Sequence, residues 1–115
     1  MTVRILRKPV TRAELAELAT PQFGDMVKAV VDVGRRVVAI GGELHADEEA
    51  ALLEDGARQS DLWGVNLYPA EPGDGWLEFD SLINIRPSLG NRSRLVEDPE
   101  RRAVIREIVA EWVRE

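Results

Sequence analysis

His45 is the single imidazole in a chain without cysteine, so any chemistry that needs an ordinary side chain titrating near neutrality falls on it. Glu43 stands two positions before it and Asp47 two positions after. Along an extended strand those three would share one face, as a carboxylate, an imidazole and a second carboxylate. Such a set reads either as a weak site for a divalent cation or as a proton shuttle centred on His45. Asn66, Asn84 and Arg86 form a second set, whose amides and guanidinium supply the directional donors and acceptors that hold a polar or anionic small molecule. Arg86, Arg92 and Arg94 also lie within nine residues that contain no acid, an arrangement able to offer paired N–H donors to carboxylate or phosphate.

The expected ligand contacts are therefore Glu43, His45, Asn66, Asn84, Arg86, Arg92 and Arg94, with the Arg92 and Arg94 loop as a flap. A metal would use Glu43, His45 and Asp47, and no organic cofactor is implied. Each set has a plainer explanation beside it. His45 can be a satisfied structural histidine, Asp47 a helix cap, and the arginines partners of Glu97, Asp98 and Glu100 or of the acidic second helix. Nucleophilic catalysis has little support, because Ser60, Ser81, Ser88 and Ser93 sit in no strained-elbow motif. Carboxylate-pair chemistry among Glu43, Glu78 and Asp80 stays open, since spacing along the chain does not give their separation.

These side chains need a scaffold, and 115 residues with 44% hydrophobic and 31% charged content describe one domain, residues 1–115, able to bury a core without disulfides. A net charge of −6 argues against a nucleic-acid binder, which needs a concentration of basic residues on one surface. No segment has the apolar run of a signal peptide or a membrane span, so a cytoplasmic location is expected.

Thr11 and Glu14 form a capping box, with Val10 and Leu15 as its hydrophobic staple, so a helix runs from there to about Ala19 before Pro21. From Met26 to Val33, valines and Ala29 alternate with Lys28 and Asp32, the period of a half-buried strand. A tight turn at Gly34-Arg35 leads into a strand from Arg36 to about His45, interrupted by two glycines. Asp47 is then placed to cap a short helix ending at Gly56. Leu62 to Tyr68 alternates again, and Trp76 to Arg86 predicts a fourth main strand with Glu78, Asp80, Asn84 and Arg86 on one face. Asp98 and Pro99 open a last helix with an apolar stripe from Val104 to Trp112. Met1 to Leu6 is a candidate edge strand. Trp63 and Trp112 fall in phase with apolar neighbours and are expected in the core, whereas Trp76 is a candidate pocket wall, with edge packing or a subunit contact as the alternatives.

This order, (β)αββαββα, predicts an α+β two-layer sandwich with a mainly antiparallel sheet of four to five strands and helices on one face. The polar side chains would then collect on the open face.

Gly41-Gly42-Glu43-Leu44-His45-Ala46-Asp47, Asp61-Leu62-Trp63-Gly64-Val65-Asn66-Leu67-Tyr68-Pro69, Asn84-Ile85-Arg86-Pro87-Ser88 and Gly90-Asn91-Arg92-Ser93 together resemble a small prokaryotic family of conserved hypothetical proteins, a domain of unknown function. The resemblance implies a prokaryotic, stand-alone, single-domain protein and carries over no activity, cofactor or catalytic residue. The residues themselves lead to a small cytoplasmic domain binding a polar or anionic molecule on its open sheet face. An enzyme using His45 for proton transfer, with or without a divalent metal, is the first alternative. A homodimer that pairs its exposed sheet face with a second copy is the other.

Overall fold

The computed structural model describes residues 3–115. In chain order the elements are β1 (Arg4–Ile5), β2 (Val10–Thr11), α1 (Arg12–Ala19), β3 (Val27–Asp32), β4 (Val37–Ile40), α2 (His45–Glu54), β5 (Leu62–Leu67), β6 (Leu77–Glu78), α3 (Pro99–Trp112) and β7 (Val113–Arg114). Five strands form an antiparallel sheet in the order β1-β4-β3-β5-β6, and β2 pairs in parallel with β7. The fold is α+β with three helices, as the sequence predicts. Met1 and Thr2 of the candidate edge strand lie outside the described residues, and the remainder supplies β1, with Arg4 opposite Ile40.

Strand phase follows the alternation of the sequence. Val27, Ala29 and Val31 of β3, Val38 and Ile40 of β4, and Trp63, Val65 and Leu67 of β5 are fully buried on one face. Leu15 and Ala19 of α1 and Ile105, Ile108 and Val109 of α3 cover that face, giving the two-layer core. Each large apolar side chain so removed from water contributes roughly 1.5–3 kcal/mol before the entropy of ordering is set against it. The capping box of α1 is formed, with Thr11 Oγ1 accepting from Glu14 N and Glu14 Oε1 accepting from Thr11 N. Asp98 caps α3, with Pro99 at its first position.

The second face is not open. Its β3, β4 and β5 positions include the apolar Val30, Ala39 and Leu62, and Leu52 of α2 packs onto them. Helices on one face therefore describes α1 and α3, while α2 takes the other side. The predicted strand to His45 stops at Ile40, because Gly41 turns the chain with φ 91° and α2 starts at His45. Asp47 lies inside the first turn of α2 rather than capping it; the cap is Leu44, which has no side chain able to bond the free amides. The predicted strand from Trp76 to Arg86 is reduced to Leu77–Glu78, after which the chain bends into a 3-10 turn at Leu82–Asn84. The turn between β3 and β4 takes four residues, Val33 to Arg36, with the buried Asp32 carboxylate accepting from the amides of Gly34 and Arg35.

Trp63 is buried, and Trp112 packs against the core with its indole N–H donating to the Arg36 carbonyl at 2.8 Å. Trp76 lines no candidate site; it packs against the same core, with the Arg12 guanidinium 4.0 Å from its ring centre. No helix among the described residues is long and apolar enough to cross a membrane.

Candidate functional site

Because β6 is only two residues long, most of the outer edge of β5 has no strand beside it, and its backbone groups need other partners. Asn84 replaces the missing strand. Its Oδ1 accepts from Gly64 N at 2.8 Å, and its Nδ2 donates to Gly64 O and to Arg94 O, both at 3.0 Å. Arg86 continues the same edge by donating to the Leu62 carbonyl. Asn91 then ties the following loop, its Nδ2 within reach of the carbonyls of Asn84, Ser93 and Leu95 and its Oδ1 accepting from Glu97 N. Asn84 is thus fully buried and structural.

Gly64 sits where the turn after β6 crosses the sheet. A Cβ there would lie 2.6 Å from Ser81 Cβ and 3.2 Å from His45 Cδ2. Ser81 Cβ is fixed to its own backbone and not the far end of a flexible side chain, so relieving the clash needs a backbone shift and Gly64→Ala is expected to cost about 2 kcal/mol through overpacking. Chemical denaturation measures it; a neutral substitution would show that Ser81 does not press on the strand.

His45, at the start of α2, is brought over this part of β5. Its ring is 7% exposed and Nε2–H donates to the Val65 carbonyl at 2.8 Å, a bond that fixes the tautomer because a carbonyl only accepts. Burial holds its pKa below the ordinary 6.5, against the opposing effect of the Val65 bond, and the ring is neutral near pH 7. Asn66 is also buried and donates to Glu78 and to the Asp80 carbonyl, leaving its Oδ1 without a partner among the described residues.

Beside His45 is a cavity of about 230 Å³. Lys28 of β3, Ser81 and Arg94 share it with His45, and Leu44 and Leu82 form its apolar rim. Arg94 pairs with Asp80 at 2.7 Å, whereas Lys28 makes no ion pair among the described residues. The amide end of α2 opens beside the cavity with no side-chain cap, adding a fixed positive potential.

The other expected contacts lie elsewhere. Arg86 faces a second cavity, across the Leu82–Asn84 turn, and pairs with Glu49 at 2.8 Å. Glu43 is exposed and borders a third hollow with Asp47 and Phe23, which adjoins the His45 cavity at Leu44. Arg92 is exposed, and the backbone amides of Arg92 and Ser93 are held by Glu97, which pins the expected flap. Glu43, His45 and Asp47 do not converge: among the described residues no three carboxylate or imidazole groups are placed to hold a metal. The cause is the early end of β4, which puts these residues on a bend and a helical turn instead of one strand face.

Sequence reasoning alone does not identify Lys28, Ser81 and Glu48 as site residues. Lys28 had a signal, as the one cation opposite the valines of β3; Ser81 had none. Glu48 looks like an acid of the first helical turn but is fully buried, with Oε2 accepting from Gly42 N at 2.9 Å and Oε1 unpartnered among the described residues. Burial pushes its pKa up to about 9, outweighing the Gly42 bond and the nearby Lys28 charge, so it holds a proton at neutral pH.

A family model described as a protein of unknown function, DUF5674, matches residues 4–112 of the chain. No curated protein and no solved structure matches it.

Proposed function

We propose, from the premise that the chain belongs to the DUF5674 family, that this protein binds a small molecule through its phosphate or carboxylate group in the cavity at the start of α2. The observation that carries this reading is Lys28, which lines that cavity without an ion-pair partner among the described residues, its ammonium 5.4 Å from the Phe23 ring centre. A half-buried cation left without a counter-charge is costly, and an anionic ligand supplies the charge. Ser81 contributes a hydroxyl, Arg94 retains N–H groups beyond its bond to Asp80, and the uncapped amides of α2 favour the same sign of ligand. The neutral Glu48 does not cancel Lys28. The cavity volume of about 230 Å³ suits an anionic group with a few carbon atoms. The net charge of −6 favours a small ligand over nucleic acid, and the reading is of a cytoplasmic protein.

Titration calorimetry and thermal shift with inorganic phosphate and with short mono- and dicarboxylates test this. At about 100-fold excess over Kd a bound anion adds about 2.7 kcal/mol, which raises Tm by roughly 10 °C. Lys28→Met is expected to weaken binding by about 10- to 100-fold while leaving the fold intact, because a charged hydrogen bond is worth about 1.5–3 kcal/mol. An anion beside His45 raises the imidazole pKa, so affinity should tighten as pH falls from 7 to 5. Stabilisation equal in protein and Lys28→Met would remove the assignment.

A further inference from the structure

The cavity on the far side of the Leu82–Asn84 turn measures about 380 Å³ and is a separate site. Its floor is the Arg86–Glu49 ion pair, whose side chains are only 12% and 14% exposed. Arg86 spends one N–H on the Leu62 carbonyl and one on Glu49 Oε2, and keeps the rest of its fork. Glu49 Oε1 accepts no hydrogen bond among the described residues. Above this floor stand Leu82, Ile85 and Leu89, which are 67%, 42% and 38% exposed, an unusual set of bare aliphatic side chains to surround a charge pair.

A net anion here would meet Glu49 at close range, and a net cation would meet Arg86. Neither charge can be approached without the other, since their atoms are 2.8 Å apart. The ligand that fits carries both signs at similar spacing and an apolar body on one side. We propose that this cavity binds a free α-amino acid with an aliphatic side chain, its carboxylate on Arg86, its ammonium on Glu49 Oε1 and its side chain against Leu82 and Leu89. Two opposed charge pairs stacked in a half-dry cavity satisfy all four groups, which an isolated carboxylate or amine does not. The volume is at the lower end of small-ligand sites and leaves no room for a long peptide. This site shares the Leu82 wall with the cavity at Lys28 but none of its charged groups.

Titration calorimetry on the full chain with L-leucine, glycine, leucinamide and N-acetyl-leucine is the test. Leucine is expected to bind, with glycine, leucinamide and N-acetyl-leucine each at least about tenfold weaker, because each lacks one of the three contacts. Glu49→Gln retains an acceptor for Arg86 and should abolish the preference for leucine over N-acetyl-leucine. Leu89→Arg, on the exposed rim, tests the apolar wall without touching the ion pair and should weaken leucine by at least about tenfold. Lys28→Met should leave leucine binding unchanged, which separates this site from the anion site. No heat with leucine at about 10 mM, equal binding of the blocked analogues, or full leucine binding by Leu89→Arg would each overturn the proposal.

Discussion

Replacing Asn84 with alanine is expected to lower stability by about 3–5 kcal/mol, a large part of what a domain of this size possesses. The side chain is fully buried and performs the work of a strand edge. Its removal leaves Gly64 N, Gly64 O and one acceptor site of Arg94 O without their bonds, in a region where water cannot follow without opening the turn over β5. Each such orphaned group costs about 1–3 kcal/mol. Asn84→Asp is the informative companion. It keeps the acceptor for Gly64 N but turns both donors into a carboxylate facing two carbonyl oxygens. It should be at least as damaging at pH 7 and recover partly in acid, where a protonated carboxyl can donate once more. Urea unfolding of the three proteins checks this. A loss under about 1 kcal/mol for Asn84→Ala would mean that the edge of β5 is hydrated and that Asn84 is free to serve a ligand.

Asn84 also shows where sequence reading stopped. The faces of β3, β4 and β5 follow from alternation alone, because a period of two is local and every valine that breaks it would point to water. Both capped helix starts, at Thr11 and Asp98, are equally local. The same alternation puts Asn84 and Arg86 on a polar strand face, yet a strand there needs pairing along all of β5. The chain supplies two paired residues and then satisfies the rest of that edge with side chains. Nothing in the spacing distinguishes an asparagine that bonds a ligand from one that bonds a neighbouring backbone, since the donor and acceptor inventory is identical. His45 reads as a strand residue for a related reason. Gly41-Gly42 reads as an interruption within a longer strand, but the left-handed φ of Gly41 ends the strand and swings His45 over the sheet. Of the seven residues expected to bind together, His45 and Arg94 share a cavity; their companions Lys28 and Ser81 reach it from segments more than thirty residues apart, a long-range fact of topology.

Glu48→Gln is expected to abolish most of the protein's loss of stability between pH 5 and pH 8, and the sign follows from its raised pKa. Below the ordinary carboxyl value of 4.5, folded and unfolded chains both hold the proton, and the favourable state of the buried carboxyl is fully present. Between that value and about 9 the unfolded chain gives up a proton that the folded chain keeps, so stability falls with rising pH. The slope is about 1.4 kcal/mol per pH unit, or about 4 kcal/mol between pH 5 and pH 8. Glutamine keeps an acceptor for Gly42 N and has no proton to lose. The variant should match the natural protein near pH 5 and exceed it by about 4 kcal/mol at pH 8, measured by urea unfolding at both. His45 acts in the opposite direction, because its lowered pKa removes stability as pH falls below 6.5, but it is present in both proteins and cancels in their difference. Parallel pH profiles would show that Glu48 is hydrated and ionised. The same proton bears on the Lys28 cavity: while Glu48 is neutral the ammonium faces a ligand with its full charge, and once Glu48 ionises beside it that charge has an internal partner. Anion affinity should therefore fall as pH rises through about 9 in the natural protein and change less in Glu48→Gln, so that stability and binding report one buried carboxyl from two sides.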